Sequence, residues 1–116
     1  MLIKMLKSKI HRAAVTDANL EYEGSISIDE TLMDAAGLHQ YEKVHVLDVT
    51  NGARVETYVI KAPKNSQEIC INGAAAHLVK PRDIIIILSY CLIKKDNLSA
   101  YAPKIVKVNH HNKIIG

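Results

Sequence analysis

The segment Tyr22-Glu-Gly-Ser25 contains the residues whose types and order allow the most unusual chemistry in this chain. Taken alone, Gly-Ser is most often a turn. The chemical alternative is self-cleavage, because glycine lacks a Cβ atom, its carbonyl can be held in a strained geometry, and the next hydroxyl can attack that carbonyl. The acyl shift from nitrogen to oxygen forms an ester, and elimination from the ester leaves dehydroalanine at position 25. Hydrolysis with loss of ammonia then gives a pyruvoyl group, a ketone that no standard side chain supplies.

The common motifs for nucleotide, hydrolase and zinc chemistry are missing: the sequence has no P-loop, GxGxxG, HExxH or GxSxG pattern. A triad of Ser25, His11 and an aspartate is discounted, because nothing marks a nucleophile elbow. Cys70 and Cys91 lack CxxC spacing and are interpreted as buried thiols rather than as metal ligands or a redox pair. We therefore expect no metal site.

A β-hairpin is predicted around Asn51-Gly52, a dipeptide typical of tight turns between strands. Residues 44–49 before it and 54–60 after it both alternate apolar and polar positions. In the second strand Arg54 and Tyr58 share one face, with Cα atoms roughly 13 Å apart, whereas Thr57 points to the other face. Arg54 and Tyr58 can therefore contact opposite ends of a small substrate.

Two further strands are predicted over residues 69–71 and 84–90. The second is so uniformly apolar that we expect both of its faces to be buried. Together with the hairpin these segments predict a mainly β fold, closed or covered on both sides.

Two short helices are expected between the strands. The capping-box spacing of Ser27 and Glu30 and the stop at Gly37 predict the first. Residues 74–78, rich in alanine, predict a second helical turn. Residues 109–113 are expected to form a frayed polar tail.

The composition is that of one globular domain: 116 residues, 48% of them hydrophobic and 23% charged. Fifteen basic and twelve acidic residues leave a net charge of +3, too mild and too dispersed to indicate nucleic acid. Phe and Trp are absent, so platforms for base stacking are scarce. No apolar run approaches the ~18 residues that span a bilayer, and the N-terminus lacks a signal-peptide pattern, so we expect no membrane association and a cytoplasmic location.

Several short motifs, taken together, resemble one family, the bacterial aspartate alpha-decarboxylases. They share a common spacing from the N-terminus, and the combinations Tyr-x-Gly-Ser and Asn-Gly-Ala-Ala-Ala are the most specific. The full set is Met5-Leu, Ser8-Lys9-Ile-His11-Arg, Thr16-Asp17-Ala-Asn-Leu, Tyr22-Glu-Gly24-Ser25-Ile, Asn51-Gly52, Arg54, Thr57-Tyr58, Asn72-Gly73-Ala-Ala-Ala76-His and Asp83-Ile.

The resemblance implies a small six-stranded double-psi β-barrel with short helices, assembled as a homotetramer with active sites near subunit interfaces. It implies one domain over residues 1–116, self-cleaved at Gly24-Ser25 into a 1–24 β chain and a 25–116 α chain. The implied cofactor is a covalent pyruvoyl group derived from Ser25, with no dissociable cofactor and no metal. The implied reaction converts L-aspartate to β-alanine and carbon dioxide for pantothenate and coenzyme A synthesis. Whether cleavage is spontaneous or needs a maturation factor stays open.

The resemblance also implies roles for individual side chains. Tyr58 resembles the proton donor, with a tyrosine packed on the barrel rim as the alternative. Lys9 and Arg54 are expected to bind the carboxylates of aspartate, with Arg54 orienting the substrate because a guanidinium can hold a carboxylate through two hydrogen bonds. Thr57 is expected to contact the substrate site, or to orient the scissile carbonyl of the precursor from the opposite face.

Asn72 and the backbone of Gly73, Ala74 and Ala75 resemble the segment that holds substrate through main-chain amides. The alternative is a plain turn that enters a helix. Secondary candidates for the pocket wall, for which structural roles are equally open, are His11 and Tyr22.

One departure from the family pattern lies at Pro81-Arg82, where many relatives have glycine just before the aspartate. We expect the turn that enters the following strand to differ there. Two other functions stay open from the sequence: a non-enzymatic β-barrel module that binds a protein or, weakly, nucleic acid, and a related decarboxylase acting on another amino acid.

Overall fold

The computed structural model describes residues 1–116, and most of its regular structure is β. The strands are β1 (Leu2–Ala14), β2 (Asp17–Asn19), β3 (Ser25–Asp29), β4 (Lys43–Asp48), β5 (Arg54–Ala62), β6 (Ile69–Asn72), β7 (Ile84–Lys94), β8 (Lys104–Val108) and β9 (Ile114–Ile115). The helix α1 (Glu30–Ala36) follows β3, and 3₁₀ turns cover Gly73–His77 and Lys95–Ala100. The predicted mainly β class with short helices is confirmed, as are the hairpin at Asn51-Gly52 and the helical turn after Asn72.

The strands pair in the order β2-β6-β3-β5-β4-β7-β1-β8-β9. Three pairs are parallel, namely β1 with β8, β2 with β6 and β3 with β5, and the others are antiparallel. The sheet has nine strands, three more than the six that the resemblance implies, and β2 and β9 are only three and two residues long. No helix of this chain has the length and apolar character needed to cross a lipid bilayer.

The core consists of aliphatic side chains from alternate positions of the strands. On β3 and β6 these are Ile26, Ile28, Ile69 and Ile71, all fully buried. Each contributes about 1.5–3 kcal/mol by leaving water. Because neighbouring residues of a strand point to opposite faces, the positions between these isoleucines face away from the core. That second face carries the polar residues of the site.

The first helix begins differently from the capping box that its sequence predicts. Ser27 lies within β3, and Asp29 is the N-cap, since its carboxylate accepts the backbone N–H of Thr31 at 2.8 Å. The same carboxylate also accepts the N–H groups of Asn65 and Gln67 at 2.9 Å. The prediction of Ser27 as the N-cap is therefore wrong, because Asp29 accepts the backbone N–H groups of both the helix and a distant loop.

The apolar strand β7 lies between β4 and β1. Ile85 and Ile87 are buried in the core, whereas Ile84 and Ile86 on the opposite face are only half-buried. The expectation of two fully buried faces is therefore wrong for this chain by itself, because Ile84 and Ile86 keep part of their surface exposed.

The C-terminal residues are not a frayed tail. Asn112 is 3% exposed. Its side chain accepts the N–H of Ala14 at 2.7 Å and donates to the carbonyl oxygens of Ala14 and Gln67 at 2.8 and 2.9 Å. The two-residue strand β9 then pairs with β8. The prediction of a frayed tail is wrong because Asn112 forms hydrogen bonds to residues 98 and 45 positions away, which polar composition alone does not reveal.

The turn at Pro81-Arg82 keeps a left-handed backbone without glycine. Arg82 has φ of 74°, and its N–H donates to the carbonyl oxygen of Val15 at 2.7 Å. A left-handed conformation is one that glycine adopts without steric cost. The backbone of Arg82 thus takes a conformation that is also open to glycine, and the expected difference from the turn of the relatives stays a prediction.

Candidate functional site

The polar face of β3 and β6 brings four short side chains together. In this antiparallel pair Ser25 lies opposite Asn72, and Ser27 lies opposite Cys70. Alternation along each strand puts all four side chains on the face away from the core. The fold therefore builds a compact polar patch around the residue that follows Gly24.

Asn72 holds the Ser25 hydroxyl directly. Its Nδ2 donates to Ser25 Oγ at 2.9 Å and to Ser27 Oγ at 3.1 Å. Ser25 and Asn72 are each 6% exposed. Such a buried hydrogen bond fixes the position of Oγ, the atom that would attack the adjacent carbonyl.

A cavity of about 460 Å³ opens above this patch. Tyr58 belongs to its wall because the parallel pairing of β3 with β5 sets Ile26 beside Val59 and so brings Tyr58 beside Ser25. The full lining is Glu21, Tyr22, Glu23, Ser25, Ser27, Tyr58, Ile60 and Asn72. Four residues expected at the site, Ser25, Tyr58, Asn72 and Tyr22, therefore share one cavity.

Gly73 packs against the backbone of Gly24. Its φ is +78°, and a Cβ atom built on it would lie 2.7 Å from Gly24 Cα, 2.8 Å from Gly24 N and 3.1 Å from Tyr22 O. Gly24 itself has open space around its own Cβ position and no positive φ. The steric need for glycine therefore lies at Gly73 rather than at Gly24.

The other expected residues lie outside this cavity within one chain. Lys9 and His11 are on β1, where Lys9 is paired with Leu88 of β7. Arg54 is exposed at the start of β5, and Thr57 lies on the face opposite Tyr58.

In the turn after Asn72, Ala74 is exposed and Ala75 is half-buried, and neither contributes to the lining.

The surroundings of His11 favour the neutral form of its imidazole. Burial lowers the pKa of His11, and the positive charges of Lys9, Arg12 and Lys107 lower it further. Its Nδ1 is buried without a hydrogen-bond partner. The lowered pKa of His11 therefore favours an uncharged side chain among these basic neighbours.

The cavity carries negative charge at its mouth. Glu21 and Glu23 are exposed carboxylates in its lining, and no basic side chain lines it within one chain. A dicarboxylate would be repelled by this lining unless cations came from elsewhere. Lys9 and Arg54 are cations expected at the site, and both are outside it here.

Sequence reasoning missed Ser27, Cys70, Ile60 and the two glutamates. Strand alternation could have found Ser27 from Ser25 and Cys70 from Asn72, since each pair is two residues apart. The register between β3 and β6, which brings the two pairs together, is not encoded by any local signal.

Comparison with known proteins gives a consistent result. A family model described as "Aspartate decarboxylase" matches residues 1–115. The chain is 56% identical to an aspartate 1-decarboxylase of Caldicellulosiruptor saccharolyticus over 99% of this chain and 90% of that one. It is 56% identical to one of Acetivibrio thermocellus, with 99% and 91% covered, and 55% identical to one of Clostridium botulinum strain Alaska E43, with 98% and 92% covered. This chain therefore belongs to the aspartate decarboxylase family.

Proposed function

We propose that this chain cleaves itself between Gly24 and Ser25 and then decarboxylates L-aspartate to β-alanine and carbon dioxide, as a step toward pantothenate and coenzyme A. The observation that carries the proposal is the buried Ser25 hydroxyl, held by Asn72 at 2.9 Å beside Tyr58 in one cavity. The relatives named aspartate 1-decarboxylase support the reaction and its substrate.

Maturation begins at Ser25 Oγ. The oxygen attacks the Gly24 carbonyl carbon, the peptide C–N bond breaks, and the Oγ proton passes to the freed amine. Loss of the Cα proton and cleavage of the Cβ–O bond then release residues 1–24 with a carboxylate. Water converts the remaining dehydroalanine to a ketone and ammonia. The products are a 1–24 chain and a 25–116 chain that begins with a pyruvoyl group.

The surroundings of position 25 suit such a group. The Asn72 amide is a hydrogen-bond donor already aimed at this residue, and it is buried. When formed, a pyruvoyl group supplies an electrophilic ketone that binds the substrate amine and accepts the electrons left by carbon dioxide. No dissociable cofactor and no metal enter the proposal.

Tyr58 supplies a proton to the substrate carbon after carbon dioxide leaves. Its phenol lines the same cavity as Ser25, which supports this role because a general acid must come within hydrogen-bond reach of the atom it protonates. Asn72 and the backbone N–H groups of Gly73, Ala74 and Ala75 orient the substrate from the neighbouring turn. Tyr22 forms part of the cavity wall.

A neighbouring copy of the chain completes the site in this proposal. Lys9 and Arg54 lie outside the cavity in one copy, while the cavity mouth carries two glutamates. A homotetramer with sites near its interfaces would bring these cations, with Thr57 and His11, toward the cavity of another copy. Arg54 then binds and orients a substrate carboxylate, and Lys9 offsets its charge.

The primary test is the mass of the purified protein. We expect two chains, 1–24 and 25–116, the larger with no free amine and with a carbonyl that borohydride reduces. Ser25→Ala should abolish both cleavage and aspartate decarboxylation, because no hydroxyl remains to attack. Ser99→Ala, an exposed serine in the second 3₁₀ turn, is the matched control and should cleave normally. A single uncleaved chain without activity, or a fully active Ser25→Ala protein, would refute the proposal.

The substrate assignment has its own test. Arg54→Ala should reduce turnover of L-aspartate through a raised KM, and Arg54→Lys should recover part of the loss because the charge remains. Unchanged aspartate kinetics in Arg54→Ala would remove this residue from the site. Faster turnover of another amino acid by the unaltered protein would redirect the substrate while leaving the cleavage chemistry intact.

A further inference from the structure

We propose that Cys70 is a positioning residue for self-cleavage, its thiol holding the Asn72 amide in the orientation that donates to Ser25. The inference rests on the proposed function, since it concerns how the precursor matures. It adds a role for a residue that carries none of the reacting atoms.

The geometry forms a short relay across β6 and β3. Cys70 Sγ donates to Asn72 Oδ1 at 3.3 Å, and both residues are buried. The other end of the amide, Nδ2, donates to Ser25 Oγ at 2.9 Å and to Ser27 Oγ at 3.1 Å. Both ends of the Asn72 side chain are therefore bonded, and each end has different partners.

Hydrogen bonding to the two serines does not by itself determine which end of the Asn72 amide faces them. A hydroxyl both donates and accepts, so Ser25 and Ser27 could bond either the nitrogen or the oxygen of Asn72. The Cys70 thiol is only a weak acceptor, and in this structure it donates to the oxygen, Asn72 Oδ1, at 3.3 Å. Its hydrogen bond therefore points the amide nitrogen at Ser25.

The orientation matters because charge develops on Ser25 Oγ as it loses its proton. An N–H donor stabilises that charge, and hydrogen bonds to ionised groups are the stronger ones. With the amide reversed, the oxygen of Asn72 would face the developing alkoxide and repel it. Cleavage should therefore be faster with the nitrogen toward Ser25.

Cys70 is suited to this role because it keeps its proton. Burial raises the pKa of the Cys70 thiol, and the nearby carboxylates of Asp17 and Glu68 raise it further. Asp17 lies beside Cys70 in the register of β2 with β6. A thiolate could not donate to Asn72, so the surroundings favour the form that the relay requires.

The test compares cleavage rates of purified full-length precursors, followed by intact mass at one temperature. Cys70→Ala, which removes the donor, should cleave about two- to tenfold more slowly, the range expected for one lost hydrogen bond. Cys70→Ser keeps a donor that can bond Asn72 Oδ1, although a hydroxyl also accepts, so it should cleave faster than Cys70→Ala and no faster than the unaltered protein. Cys91→Ala is the matched control: this half-buried cysteine on β7 lies outside the cavity and should leave the rate unchanged.

Two results would overturn the inference: Cys70→Ala cleaving as fast as the unaltered chain, or Cys70→Ala and Cys70→Ser being slowed equally. If Cys70→Ala does not fold, Cys70→Val fills the volume without a donor and should show the same slowing relative to Cys70→Ser. Failure of the unaltered chain to cleave would instead refute the proposed function. Turnover per pyruvoyl group, measured on the matured fraction, keeps effects on maturation apart from effects on decarboxylation.

Discussion

Replacing Gly73 by alanine tests whether the scissile segment depends on its backbone contact with the turn after β6. A Cβ atom at position 73 would lie 2.7 Å from Gly24 Cα, whereas ordinary contacts begin at 3.4 Å. Gly24 must therefore move by about 0.7 Å or more, and a displacement near 1 Å at a reacting centre can cost about 100-fold in rate. We expect Gly73→Ala to slow cleavage about 10- to 100-fold.

Gly52→Ala is a control with the same backbone penalty and no contact. Gly52 has φ of +79°, close to the +78° of Gly73, but nothing lies within 4 Å of its Cβ position. Both variants lose about 1–2 kcal/mol of stability because alanine resists the left-handed conformation. Only in Gly73→Ala does the added methyl group also collide with Gly24, whose carbonyl carbon forms the bond to be broken.

The assay is a time course of intact mass for both purified precursors, at a temperature below both unfolding transitions. Gly52→Ala should cleave at the rate of the unaltered chain although it is less stable. Equal cleavage rates in Gly73→Ala and Gly52→Ala would refute the reasoning, because they would show that the close contact has no influence on the scissile bond.

Three further predictions concern stability, each measured by urea unfolding of the Ser25→Ala precursor. Arg82→Gly should stabilise it by about 1 kcal/mol, because φ of 74° costs glycine nothing, and Arg82→Ala should give no such gain. Burial and the adjacent Asp83 carboxyl raise the pKa of Asp48 from 3.8 to about 6, so the folded state binds this proton more tightly and stability falls as pH rises through that range. Asp48→Asn should therefore stabilise by about 1–2 kcal/mol at pH 8, less at pH 5, and a gain independent of pH would contradict this. Asn112→Ala removes three hydrogen bonds to Ala14 and Gln67 and should lower the free energy of unfolding by about 2–3 kcal/mol. A loss below about 0.5 kcal/mol would contradict the conclusion that Asn112 holds the C-terminal residues in place.

Local signals in the sequence predicted local structure well. The turn at Asn51-Gly52 and the left-handed stop at Gly37 are set by residues within a few positions, and both formed as expected. The helix cap and the tail were mispredicted because their partners are distant. Asp29 bonds a loop 36 and 38 residues away, and Asn112 bonds a strand 98 residues away.

The same division applies to the candidate site. The family resemblance pointed to Ser25, Asn72 and Tyr58, and these three residues line one cavity. Cys70 could not be found in this way, because its relation to Ser25 depends on the register of β6 against β3. No pattern within either strand specifies that register, which depends on how the isoleucines of both strands pack into the core.

The position of the proposed scissile bond is compatible with a fold that survives cleavage. Ser25 is the first residue of β3, so the break falls at a strand end rather than within a hydrogen-bonded ladder. On the other side of the bond, β1 lies between β7 and β8 and pairs with both. The Tyr101 hydroxyl also donates to the Leu6 carbonyl oxygen at 2.6 Å. Since these contacts do not pass through the Gly24-Ser25 peptide, residues 1–24 should stay bound after cleavage and separate from 25–116 only when the sheet itself unfolds.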